Sequence, residues 1–236
     1  MLKKRPIGRN SRQDILKLFS DNQKKWKSLI VKKETFGEGK NLLLKNHSLV
    51  HDKKVYKTDD KTIYDLLWEG LKPETCKIIS KQGTSILWNI WHITRIEDLI
   101  SNLIIGNKET VFNREIQTQL NIKIADVGNS MTNSEIELFN NVVNVKALNE
   151  YRVKVGKSTK KILESLEYDD LKIKVKHEQI EKIEKNGGVV NDPKSYWLLD
   201  FWEKKNILGL LDLPITRHQT TYHLIPSFGI KEKSNK

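Results

Sequence analysis

Six histidines carry most of the chemistry open to this 236-residue chain: His47, His51, His92, His177, His218 and His223. Imidazole is the commonest transition-metal ligand and also a general acid or base near neutral pH. Spacing sorts the six. His47 and His51 are four apart, so on a helix they lie roughly 40° apart around the axis and both can reach one ion. His218 and His223 are five apart, roughly 140° around a regular helix, which is poorer geometry unless the turn after Pro214 is irregular. His92 stands in WNIWHITRIED, residues 88–98, inside the longest strongly apolar segment. It shares a helix face with Trp88 and Ile96 and so points inward. A buried imidazole is costly unless its nitrogens find partners, and a metal ion is one such partner. Three histidines with an open fourth position are what a catalytic zinc or similar ion requires. Taken singly, each histidine reads more simply as a satisfied core group; convergence is what would distinguish a site.

Other residues near His92 have simpler readings. Arg95, one turn away, can contact a substrate anion, or else pair with Glu97, Asp98 or another helix. Glu97 and Asp98 are expected in solvated or capping roles rather than orienting a ligand histidine. Trp88, Trp91, Trp197 and Trp202 are expected in the core, and His177, in a charged stretch, at the surface. Cys76 has no local signature of a nucleophile. As the single cysteine it cannot form an internal disulfide, which fits a reducing cytoplasm.

The elements that must position these groups are mostly helical by periodicity. Asn10 or Ser11 can cap a first helix, with Asp14 near its positive end, whose apolar stripe includes Ile15, Leu18, Phe19, Trp26 and Ile30. Gly37 and Gly39 separate it from a second helix over about 41–51. TIYDLLWEGL is short and amphipathic, closed by Gly70 and Pro73. The central helix should run over about 84–105, start at Thr84 or Ser85, and end at Gly106 as a left-handed cap. Residues 107–131 read as a short helix plus loop. Thr132 to Glu135 form a capping box before a further helix, and another is expected over about 158–166. Residues 169–185 are ambiguous between strand and helix; helix is favoured, capped by Asp169 and Asp170. Asp192-Pro193 opens a helix bearing Trp197 and Trp202, and Pro214 opens the last one. The expectation is an all-α domain over 10–229, with a disordered basic arm at 1–9 and a basic tail at 230–236.

Composition narrows the function classes. The net charge is +12, and residues 1–60 hold 16 Lys/Arg against 7 Asp/Glu. That excess is mostly lysine without interleaved aromatics, so a solvated face is the simpler reading. A basic helical module binding nucleic acid is the alternative, although no helix-turn-helix or RNA-binding signature supports it and nucleic acid is not the expected partner. No apolar run approaches the ~18 residues of a membrane span. No apolar h-region follows the basic start, so a secretory signal is not expected. A cytoplasmic protein is the resulting expectation.

SILWNIWHITRIEDLISNLII resembles the S-x-x-W-x-I-W-H-I-x-R-I-E-D helix of the DinB-like (damage-inducible, YfiT-like) superfamily of metalloenzymes. FWEKKNILGLLDLPITRHQTTYHL is similar to the tail of that group, with its TRH…HL segment. YRVKVGKSTKKILESLEYDDLKIKV and TIYDLLWEGL fit as well, so the likeness covers about residues 10–230. The resemblance implies a four-helix bundle, elaborated here by short helices, with a divalent metal at one end. The ligands it implies are His92 on the second long helix and His218 and His223 on the last. The family spacing there is His-x3-His, whereas this chain has His-x4-His, so His51 or His47 is the substitute candidate. The implied activity is a thiol-dependent S-transferase or hydrolase acting on a small molecule, with a low-molecular-weight thiol as second cofactor. The sequence does not choose between zinc, nickel and manganese. A homodimer is compatible with the resemblance, and so is a metal-free relative with only a binding role.

Overall fold

The computed structural model describes residues 9–59 and 61–234, those at 9–16 and 18 by backbone alone. The expectations for residues 1–8, and for the side chains of Asn10, Ser11, Asp14, Ile15 and Leu18, lie outside the described residues. Among the described residues every regular element is a helix, so the chain is all-α; one isolated bridge joins Lys174 and Asn206.

The first two helices, α1 (Arg9–Ile30) and α2 (Phe36–Val50), lie against each other. Gly37 and Gly39 fall inside α2, not in a joint. At Gly39 a Cβ would sit 2.5 Å from the Ile30 backbone nitrogen, so a hydrogen here is what lets α1 and α2 approach. Next come α3 (Ile63–Trp68), closed at its start by a Thr62–Asp65 capping box, and α4 (Pro73–Lys77). Cys76 is buried in α4, and burial pushes its thiol up to about 11, which leaves it a poor nucleophile.

The central helix α5 (Ile86–Asp98) is capped by the Ser85 hydroxyl, which accepts from the Trp88 amide. Every residue of α5 is buried. It continues as a π-helical stretch over Leu99–Ile105. The end differs from expectation: Gly106 has φ −83, and the left-handed residue is Asn107 at φ 45. Asn tolerates that region better than other side chains do.

After α6 (Arg114–Leu120) and α7 (Asn133–Val142), the latter with the expected Thr132–Glu135 capping box, α8 spans Val145–Ser165. It begins thirteen residues before the expected start at 158, capped by Asn144. Its buried face carries Arg152, Gly156 and Thr159 among the apolar residues, which breaks the hydrophobic stripe that sequence reading relies on. Residues 168–172 form a 3-10 turn and 173–176 are extended, so the expected helix there begins only at α9 (His177–Lys185). Then α10 (Pro193–Glu203) follows, with Asp192 as its cap.

The last helical run starts before Pro214, not at it. It begins with α11 (Ile207–Asp212), capped by Asn206, passes through π-helical turns at Leu213–Arg217 and Gln219–Leu224, and ends in α12 (Ile225–Ser234). Much of the expected basic tail is thus helical. Proline lacks an amide hydrogen and crowds the preceding turn, so wider winding around Pro214 relieves a conflict that a regular helix could not.

Two apolar clusters flank the middle of the molecule. One contains Trp26, Ile30, Leu43, Leu163 and Trp202. The other contains Leu67, Trp91, Phe139, Tyr151 and Phe228. Helix α5 contributes to both, packing on α8 and on the π-helical segment, while α2 also packs on α8. Gly39→Ala should destabilise the protein by about 1–3 kcal/mol, because the colliding atoms are backbone and cannot swing aside. Urea denaturation measures this; an unchanged midpoint would contradict the tight α1–α2 crossing.

Candidate metal centre

Helix α5 presents His92 inward, and the π-helical segment presents His218 and His223 towards it. The ring centroids of His92 lie 5.3 Å from His218 and 4.6 Å from His223, with 4.5 Å between the last two. One nitrogen from each ring lies within 4.8 Å of the others, close enough to hold one metal ion. The Nε2 atoms of His218 and His223 are 3.2 Å apart. That matches the separation of about 3.3 Å set by Zn–N bonds of ~2.0 Å at a tetrahedral angle.

The five-residue spacing works because the helix is not an α-helix here. With i→i+5 hydrogen bonding, about 4.4 residues make a turn, so residues five apart sit roughly 50° from each other. The same winding that accommodates Pro214 therefore puts both histidines on one face. The structure brings together His92, His218 and His223 and does not bring His47 or His51 to them, so neither substitute candidate is needed.

Hydrogen bonds fix which nitrogen of each ring faces the centre. The Ser227 hydroxyl donates to the His223 carbonyl at 2.7 Å, so its lone pairs accept from Asn89 Nδ2 at 3.1 Å. That orients Asn89 Oδ1 towards His223 Nδ1, 2.8 Å away, and the imidazole must donate there. His92 Nδ1 likewise donates to the Val127 carbonyl at 2.8 Å. Both rings then carry lone pairs on Nε2, aimed at a shared point. This is how a ligand histidine is normally held. Trp88 stacks on His92, 4.6 Å between centroids and 12° from parallel. His218 Nδ1 is buried without a partner among the described residues.

These rings are neutral at ordinary pH. Burial holds His92 at about 4 and His218 at about 3. Burial, then the neighbouring His92 and His218, hold His223 well below its usual range.

A second group forms one turn along α5. His47, His51 and Glu97 also have ligand atoms within ion-binding reach, all fully buried. Here the hydrogen bonds run the other way. Glu97 accepts from His47 Nε2 at 2.9 Å, from His51 Nε2 at 2.9 Å and from Gln219 Nε2 at 2.6 Å. His47 Nδ1 accepts from the Tyr56 hydroxyl at 2.8 Å. The nitrogens facing the carboxylate are therefore protonated, in the opposite tautomer to His92 and His223. Arg152 closes the network, donating to Gln219 Oε1 at 2.7 Å and to the Val50 carbonyl at 2.8 Å. Burial alone would raise the Glu97 carboxyl, but His51 and His47 hold it well below the usual range, so it is ionised. Gln219 joins this network to the segment bearing His218 and His223.

Several sequence expectations change. Glu97 is not solvated, and neither is Asp98, which accepts from the amides of Val111 and Phe112 and from the Tyr151 hydroxyl. Arg95, named as a possible contact to a substrate anion, does not line the cavity over the three histidines. It is fully buried, donating from Nε to the Ala125 carbonyl at 2.7 Å and lying over the Phe112 ring, with Asp98 3.6 Å away. Trp88, Trp91 and Trp202 are core residues, whereas Trp197 is half exposed. His177 is at the surface, beside Glu203. Asn89, Arg152 and Gln219 were missed; Asn89 at three residues from His92 was the one readable hint, since it shares that helix face.

A cavity of about 400 Å³ opens over the three histidines, walled by α10 and by residues around Pro214. The chain matches no known protein-family model, and no curated protein sequence matches it. No described helix is long and apolar enough to cross a membrane.

The buried histidines make stability depend on pH. The unfolded chain protonates them near 6.5, whereas folded His51, His92 and His218 resist until about 3–4. Stability is then full above pH 6.5 and falls towards pH 4, by about 1.4 kcal/mol per pH unit for each such histidine. Urea midpoints between pH 7.5 and 4.5 should drop steeply; a flat profile would contradict the buried neutral rings. Glu97→Gln removes the charge that Arg152 and both imidazoles face, and should cost about 3–5 kcal/mol. His177→Ala, at the surface, should stay within about 0.5 kcal/mol in the same assay.

Proposed function

We propose that this chain is a DinB-like metal-dependent enzyme acting on a small molecule, with His92, His218 and His223 as ligands to one divalent transition ion. The observation that carries the reading is the pair of imidazoles locked, by Asn89 and by the Val127 carbonyl, with their lone pairs converging at the floor of an open cavity. Ring nitrogens gathered with their lone pairs towards one point repel one another, and a cation shared between them turns that repulsion into attraction. A three-histidine set leaves the ion its full positive charge, which acidifies a thiol or water that it binds.

The surrounding residues favour one kind of chemistry. Among the described residues, no Asp, Glu or Lys lines the cavity, so the protein offers no carboxylate or amine to take a proton there. A thiol, with its ordinary pKa near 8.5, needs far less help than water to ionise at neutral pH. Thiol-dependent transfer is therefore favoured over hydrolysis. Trp88, stacked on His92, and the apolar wall exclude bulk water from the ligand side of the centre.

Metal analysis of untagged protein tests this. The expected result is about one bound transition ion per chain, lost in His92→Ala and in His223→Ala. His47→Ala should keep the ion, since its nitrogen faces Glu97 and not the three-histidine centre. Protein that takes up no ion even after zinc, nickel or manganese is added would sink the reading. So would retention of the ion in His92→Ala.

A further inference from the structure

We propose that, beyond the group held at its floor, the cavity over the three histidines selects an uncharged aromatic ligand body with a hydrogen-bond donor and disfavours a body that carries an anionic group. Only the ligand's metal-binding head rests on the reading above; the selectivity comes from the walls.

The walls are aromatic and uncharged. Trp197, Phe201, Trp202 and Tyr222 line the cavity with Leu198 and Pro214. Among the described residues no lysine, arginine, aspartate or glutamate does so, in a chain carrying 42 Lys/Arg. An anionic group on the ligand body would leave water with no cation in the wall to meet it. Arg95, on the same helix as His92, cannot serve, because its guanidinium is buried and engaged elsewhere. Charged thiols and carboxylated substrates therefore gain nothing from this wall.

Aromatic surface is left open at the mouth. Trp197 is 51% exposed and Tyr222 is 54% exposed, among the most exposed large apolar side chains described. The Trp197 indole N–H is already given to the Lys194 carbonyl at 3.0 Å, so what it offers a ligand is its ring face. Rings pair by offset stacking or edge to face, which suits a flat ligand body. A volume of about 400 Å³ is near the small end for ligand pockets and holds a molecule of one or two rings.

One polar atom of the wall is unsatisfied. Asn129 lines the cavity, and its Oδ1 is buried with no hydrogen-bond partner among the described residues. A buried carbonyl oxygen is costly to leave unpaired, so a ligand N–H or O–H reaching it gains more than it would at the surface.

Three probes separate these features. Benzohydroxamic, acetohydroxamic and 4-carboxybenzohydroxamic acids share one chelating head with an N–H donor and differ in body and charge. Each is titrated into cobalt-loaded protein, followed by cobalt absorption, and into metal-free protein, followed by tryptophan fluorescence. Benzohydroxamic acid should bind about tenfold tighter than either of the others in both forms, since burying a ring adds apolar area that the methyl lacks. Trp197→Ala should shrink that preference to about twofold or less, and Asn129→Ala should weaken all three probes. Equal binding of the three, tighter binding of the carboxylated one, or a preference untouched by Trp197→Ala would overturn the proposal. Failure to bind cobalt would overturn the metal reading alone, and the aromatic preference would then be decided on the metal-free protein.

Discussion

The winding of residues 213–224 is the constraint on which the rest depends. An α-helix through Pro214 would clash with its own preceding turn and would splay His218 and His223 to different faces. The π-helical turns remove both problems with one change of pitch. They also place Gln219 between the two histidines' region and the Glu97 network, where its amide donates to Glu97 and to the Pro214 carbonyl. π-helical turns are uncommon because their packing is poor, and they persist where neighbours over-determine them. Here the neighbours are α5 on one side and Arg152 of α8 on the other.

The interior of this protein is unusually polar around α5. Along it lie two clusters built from the same residue type with opposite proton placement. In one, imidazole N–H groups point at an ionised carboxylate balanced by Arg152. In the other, N–H groups point outward to Asn89 and a backbone carbonyl, and the lone pairs point in. The difference follows from where the acceptors lie: Glu97 faces Nε2 of His47 and His51, whereas the Val127 carbonyl and Asn89 face Nδ1 of His92 and His223. A carboxylate inside the three-histidine centre would have turned it into another closed network; its absence there leaves the lone pairs available. The two arrangements thus divide the labour, one holding α2, α5, α8 and the last helical run together, the other facing a cavity.

Much of this was legible in the residues. The inward direction of His92 follows from its apolar neighbours at three and four residues, and the capping box at Thr132 marks its helix plainly. The resemblance to DinB-like helices singled out His92, His218 and His223, and these are the three that converge. What periodicity could not reach is the polar inner surface. Glu97, Asp98, Arg95 and Arg152 are all fully buried, yet a charge read from sequence counts as outward-facing. The same bias hid the first half of α8. The change of helical pitch also leaves almost no trace in composition: Pro214 signals a break, not a widened turn, so His-x4-His read as poor spacing although the winding brings both rings together.

The Asn89–His223 and Glu97–Gln219 contacts join residues 134 and 122 positions apart. During synthesis, α5 leaves the ribosome long before its partners do, at about 5–20 residues per second. The Gln219 side chain that bridges Glu97 and Arg152 is thus made last, several seconds after both of them at that rate. Because Gln219 lies between His218 and His223, one late-made segment completes both the bridge across the Glu97 network and the three-histidine cluster.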